Sequence, residues 1–181
     1  MVDRLRTVGI AEMVTSDDPE DVLVAYGLGS CVAVCMYDPG ARVGGVLHAL
    51  LPNAPAGGAS DQNPYKFVDS GIAQLVTSVL ELGAKRSRLR IALCGGAEVL
   101  KSPGFSDSFR VGKRNSSSAE STLKQIGLGV SRRAIGGCAG RTMRLSMSDG
   151  QVTVRSLGGE GVRFDLSAEK PARRVAVECR R

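Results

Sequence analysis

The stretch Gly27-Leu28-Gly29-Ser30-Cys31-Val32-Ala33-Val34-Cys35 sets a thiol directly after a glycine-rich bend and directly before an apolar, β-branched run. A thiol is mostly protonated at neutral pH and becomes a nucleophile when a neighbouring base takes its proton. The chain has one histidine, His48, so a single imidazole is available for that task. Gly27 and Gly29 permit a bend that exposes backbone N–H groups around Gly29, Ser30 and Cys31, the kind of donor an oxyanion requires. Thiol, imidazole and N–H donors together suit acyl transfer at amides and thioesters, side-chain amides of glutamine and asparagine included. Taken singly, Cys31 reads as a small core residue and His48 as a hydrogen-bonded histidine on an apolar strand. Their pairing is what carries the chemical reading.

That pairing depends on the elements between them. Residues 20 to 26 and 31 to 37 read as strands, Asp38-Pro39-Gly40-Ala41 as a turn, and 43 to 51 as the returning strand. A hairpin closed by a loop at 38 to 41 places Cys31 directly opposite His48, and facing side chains of an antiparallel pair lie about 5 Å apart at Cβ. The same counting sets Cys35 opposite Gly44, away from the histidine. Residues 53 to 63, NAPAGGASDQN, form the clearest loop and a candidate flap. Asn63 and Pro64 then open a helix with apolar residues at Val68, Ile72, Leu75, Val76 and Val79, ending at Gly83. A strand is expected at 88 to 94, and a second helix from Asn115 or Ser116 with Ala119, Leu123 and Ile126 on one face. Another strand is expected at 128 to 135, and a hairpin joins 142 to 147 with 152 to 157 across Asp149-Gly150. Two helices and seven to nine strands make a mixed α/β fold.

Composition bounds the rest. At 181 residues, 43% hydrophobic and 23% charged, the chain suits one domain with a hydrophobic core. Residues 1 to 168 are expected to form it, and 169 to 181, rich in arginine, to be a basic tail. No apolar run reaches signal-peptide or membrane-span length, so a cytoplasmic protein without membrane insertion is expected. Five cysteines, an odd number, fit reduced thiols better than a disulfide framework. Cys31, Cys35 and His48 offer three zinc ligands, but no second cysteine pair stands at zinc-site spacing, so no metal is expected. The net charge of +6 gathers at Arg110, Lys113 and Arg114, at Arg132 and Arg133, and in the tail, and suits an acidic partner. With 4% aromatic residues and no Trp, a stacking surface for single-stranded nucleic acid is not expected. GLGSC lacks the lysine of a phosphate-binding loop.

GLGSCVAVCMYDP, GGVLHALLP, CGGAEV, VGKRN and GGCAGRTMRL, in this order, resemble the CheD family of chemoreceptor glutamine deamidases over residues 8 to 157. The resemblance implies an α/β fold of mixed sheets in a sandwich-like layered arrangement, with two or three helices packed outside. It also implies a cysteine hydrolase without cofactor, Cys31 as nucleophile and His48 as base. The implied partners are methyl-accepting chemotaxis receptors, whose glutamines become glutamates, and the phosphatase CheC; no nucleic acid is expected. One position departs: the family carries a threonine six residues before the cysteine to orient the histidine, where this chain has Ala25. A methyl group accepts no hydrogen bond, so a backbone carbonyl or a hydroxyl such as that of Tyr26, Ser30 or Thr142 must orient His48, or catalysis is weakened. The alternative function is a binding or regulatory module for receptors or CheC.

Overall fold

The computed structural model describes residues 3–55, 63–98, 110–156, 159 and 161–168. The first sheet runs β1 (Arg4–Thr7), β3 (Asp21–Leu28), β8 (Arg141–Ser146), β9 (Gln151–Ser156), β10 (Gly161–Asp165). The second runs β2 (Glu12–Ser16), β5 (Val43–Ala49), β4 (Val32–Asp38), β6 (Arg90–Gly95), β7 (Arg132–Ile135). Pairing is antiparallel except at β1–β3 and β6–β7.

Period-two alternation explains how the sheets stack. On β4, Ala33, Cys35 and Tyr37 join Leu23, Ala25, Met143 and Leu145 in a core between the sheets. The intervening Val32, Val34 and Met36 face the opposite way, into a second core with α1 (Val68–Glu81) and α2 (Val111–Gln125). Both faces of β4 and β5 are therefore buried, which is why these stretches read as unbroken apolar runs. The result is a sandwich of two mixed sheets with the two helices covering the second one. The charged stretch of β1 is exposed along its length, so its strand character comes from pairing with β3 and leaves no apolar pattern to read. The arginine-rich tail at 169–181 and most of the expected flap, 56–62, lie outside the described residues.

Both helices start elsewhere than the sequence reading expects. Asn63 caps a 3-10 turn at Pro64–Lys66, accepting from the Tyr65 N–H at 2.9 Å, and Phe67 returns to extended geometry before α1 begins at Val68. The second helix starts at Val111, so Asn115 lies inside it and is not its cap.

The β4–β5 hairpin is set by Asp38. This residue stays in the strand, paired with Val43, and its carboxylate accepts from Gly40 N–H at 2.8 Å and Ala41 N–H at 3.3 Å. Arg88 grips the same carboxylate with two nitrogens at 2.8 and 2.7 Å, and Lys85 N–H adds a bond at 2.7 Å. Burial disfavours the Asp38 charge, but Arg88 and the three backbone donors outweigh it and hold the carboxyl at about 2. A depressed carboxyl stabilises the fold above its unfolded value of about 4 and loses that contribution as pH falls toward the folded value. Asp38→Asn is accordingly expected to lower stability at pH 7 by about 2–3 kcal/mol in urea unfolding. The gap between wild type and variant should close as pH drops from about 4 to about 2.

Candidate active site

The turn ending at Asp38 decides how the thiol meets the imidazole. The connecting residues are 39–42, with Arg42 in the left-handed region at φ 55, so Ala33 pairs with His48 and Val32 with Ala49. Cys31 is thus not directly opposite His48, as the 38–41 loop had implied, and Cys35 pairs with Val46 in place of Gly44. The offset is two residues, and side chains alternate with period two, so the correction moves Cys31 along the sheet without turning it over. Cys31 remains on the face of Ala33, diagonal to His48, within the inter-sheet core and 6% exposed. Diagonal neighbours on one face are about 7–8 Å apart along the backbone, still within reach of long side chains.

His48 is 1% exposed and its two nitrogens differ. Nδ1 lies 3.2 Å from the Val8 carbonyl oxygen, an acceptor that fixes the proton on Nδ1. Nε2 is buried with no hydrogen-bond partner among the described residues. The Nε2 lone pair is therefore unshared among the described residues, on a ring that lies on the same sheet face as Cys31. Of the candidates for orienting it, a backbone carbonyl is the one in contact. Tyr26 follows Ala25 at an irregularity of β3 and is 45% exposed, Thr142 alternates with the inward Met143, and neither they nor Ser30 bonds the ring. Ala25 is fully buried in the inter-sheet core, its place on the site side kept and its hydroxyl absent.

Burial lowers the affinity of His48 for a proton, opposed by its bond to Val8 and the charge of Glu12. Burial also pushes the Cys31 thiol up, opposed by its own backbone N–H beside the sulfur. Both shifts disfavour charge, on the thiol and on the imidazole alike.

Gly27 supplies the bend, at φ +66, where a side chain would be strained whatever space is open to it. The Gly29 N–H is spent on the Gly27 carbonyl at 2.8 Å, which removes it from the expected oxyanion donors. Among the described residues the N–H groups of Ser30 and Cys31 go to no carbonyl. The carbonyls of this loop are all held: Gly29 accepts from Ala97 N–H at 2.8 Å and Cys31 from Gly96 N–H at 2.7 Å. Ser30 accepts from Asn115 Nδ2 at 2.9 Å.

Asn115 was missed as a site residue. Its Nδ2 also donates to the Leu50 carbonyl at 2.9 Å, so one buried amide ties the peptide before Cys31 to the chain leaving β5 two residues after His48. In a planar peptide the C=O and N–H point oppositely, so fixing the Ser30 carbonyl also aims the Cys31 N–H. The signal was present: Asn115, Ala119 and Leu123 share one helical stripe and all three are fully buried, which makes the asparagine a polar residue on an apolar face.

Arg141, from the GRTMRL stretch, is the other buried polar anchor. Its guanidinium donates to the carbonyls of Gly95 at 2.9 Å, Ala134 at 3.1 Å and Gly136, joining β8 of one sheet to the ends of β6 and β7 in the other. Cys35 and Cys94 are fully buried free thiols, both pushed up by burial, Cys94 to about 12, and belong to the core. Cys138 is disulfide-bonded, so the expectation of reduced thiols holds for Cys31, Cys35 and Cys94 but not for it.

Replacing the buried Asn115 by alanine leaves two part-buried carbonyls without their donor and is expected to cost about 1–3 kcal/mol of stability. Hydrogen exchange should accelerate at Leu51, whose N–H shares a peptide group with the Leu50 carbonyl and donates to the Lys66 carbonyl, and not in β8 or β9.

A family model described as CheD chemotactic sensory transduction matches residues 50–156. The protein of Symbiobacterium thermophilum named "Probable chemoreceptor glutamine deamidase CheD" is 36% identical over 155 residues, covering 86% of this chain and 94% of its own. Proteins of the same name from Desulfitobacterium hafniense and Pyrococcus abyssi are 38% identical over 157 residues and 42% over 142, covering 86% and 78% of this chain and 96% and 86% of theirs. An alignment over 86% of 181 residues necessarily spans both Cys31 and His48, which the family-model match alone does not reach. With two thirds or more of each chain shared at such identities, this chain belongs to the CheD family.

Proposed function

We propose that the chain is a protein-glutamine amidohydrolase that converts glutamine side chains of methyl-accepting chemotaxis receptors to glutamate. The observation that carries the reading is the Nε2 of His48, buried and unpartnered among the described residues on a ring that shares a sheet face with Cys31, while Nδ1 is anchored to Val8. The relatives' name, chemoreceptor glutamine deamidase, suggests the substrate class. The surplus of basic residues suits an acidic partner.

In the proposed reaction Nε2 takes the Cys31 proton as sulfur attacks the side-chain amide carbon, forming the C–S bond. The oxyanion is held by the N–H groups of Cys31 and Ser30. His48 passes the proton to the departing nitrogen, the C–N bond breaks, and ammonia leaves a thioester. Water then attacks the thioester carbon as Nε2 takes its proton, the C–S bond breaks, and the proton returns to sulfur. Glutamate is released and the site is restored. No step requires a metal or a cofactor.

A binding or regulatory module for receptors or a CheC-type phosphatase is the second reading, favoured by Ala25 in the position where the family carries threonine. Incubation with receptor cytoplasmic fragments separates the two. Site-specific conversion of glutamine to glutamate with matching ammonia release is expected, and Cys31→Ala and His48→Gln should each lower the rate by roughly 10³-fold or more. A wild type that binds the fragments without releasing ammonia would establish the binding reading. Because His48 is shifted down, the acid limb of kcat/KM should fall below the ordinary histidine value of about 6.5, with a plateau above it.

A further inference from the structure

The carbonyl that orients His48 belongs to a peptide group whose other end is occupied by a carboxylate. The Gly9 N–H donates to Glu12 Oε2 at 2.8 Å, and the Val8 carbonyl accepts from His48 Nδ1 at 3.2 Å. Val8 C=O and Gly9 N–H are the two poles of one amide. We propose that Glu12 is a positioning residue for the deamidation, acting on His48 through the Val8–Gly9 peptide. The proposal rests on the reading of His48 as the base.

In a trans, planar peptide the C=O and N–H point in opposite directions, and no cis bond occurs among the described residues. Carboxylate, amide and imidazole therefore form a chain in which each hydrogen bond polarises the next. An N–H that donates to a charged oxygen leaves its own carbonyl more negative and a stronger acceptor, by perhaps 10–30% per bond. The stronger acceptor holds the Nδ1 proton more firmly, keeps Nε2 as the free lone pair, and stabilises the imidazolium formed during attack. That is the service a side-chain acceptor gives in a triad, and Ala25 cannot give it.

The surroundings hold the relay in place. Glu12 and His48 are directly paired across β2 and β5, and the strap between β1 and β2 is tied down at Val8 N–H to the Val24 carbonyl, Ala11 N–H to the His48 carbonyl and Glu12 N–H to the Gly9 carbonyl. Asn63 Nδ2 adds a bond to the Ala11 carbonyl at 2.8 Å. A Cβ on Gly9 would come within 2.9 Å of Glu12 Oε2, so glycine is the residue that leaves the carboxylate room. Among the described residues Glu12 on β2 is the charged group that acts on His48, and Cys31 before β4 lies in the core on the same face; β3 and β8 contribute the apolar Leu23, Ala25, Leu28, Met143 and Leu145 to that core.

The test uses the whole chain, whose single histidine can be followed by nitrogen NMR without overlap. Glu12→Gln keeps an acceptor and removes the charge. Its His48 titration midpoint should drop by about half a unit, and its kcat on receptor fragments about three- to tenfold with KM within twofold. Glu12→Ala should move both further in the same direction, and Gly9→Ala, which displaces the carboxylate, should match Glu12→Gln. An unmoved midpoint and tautomer in all three variants would overturn the relay, whatever happens to Tm. A wild type that releases no ammonia would overturn the deamidase reading instead, and the His48 titration would still decide the relay.

Discussion

The hydrogen bond from His48 Nδ1 to the Val8 carbonyl spans the step from one sheet to the other, because β1 lies at the edge of the first sheet and β2 at the edge of the second. The strap between them, residues 8–11, passes over the imidazole and closes that side of the sandwich. An imidazole buried to 1% exposure must satisfy its polar atoms from within. One nitrogen is satisfied by the strap and the other has no partner among the described residues. If the strap moved, the ring would lose its tautomer and its burial together, and the thiol would face an imidazole free to turn.

The same logic governs the loop that carries Cys31. The loop before β4 spends its carbonyls on Ala97, Gly96 and Asn115, while among the described residues the N–H groups of Ser30 and Cys31 go to no carbonyl. A loop so held has little freedom to reorient when charge develops, and a donor fixed in advance is worth more than one that must be recruited. Asn115 and Arg141 each exchange a costly burial of polarity for hydrogen bonds to carbonyls that regular strand pairing leaves over. Asn115 joins a helix to two loops, and Arg141 joins the two sheets.

Much of this was legible from residue types. The apolar runs of β4 and β5, the Asp-Pro-Gly turn, the stripe of α1 and the Asp-Gly hairpin each carry a local physical signal, and each element formed close to where that signal stood. The pairing register was legible only to within its period: Asp38 stayed in its strand because Arg88 and Lys85, remote in sequence, hold its carboxylate. The start of α2 was misread at Asn115 because asparagine is a good cap, and what holds it inside the helix is a pair of carbonyls from other elements.

Residue type and spacing by themselves determined that one thiol and one imidazole lie on the same buried face, since a slip of two residues preserves the face and the chain has no other histidine. They also determined that Ala25 could not orient that imidazole. Only the tertiary structure decided what does. A backbone carbonyl is present at every residue and leaves no mark in a sequence, so Val8 became visible only when the strap between two sheets was seen to bring it to His48.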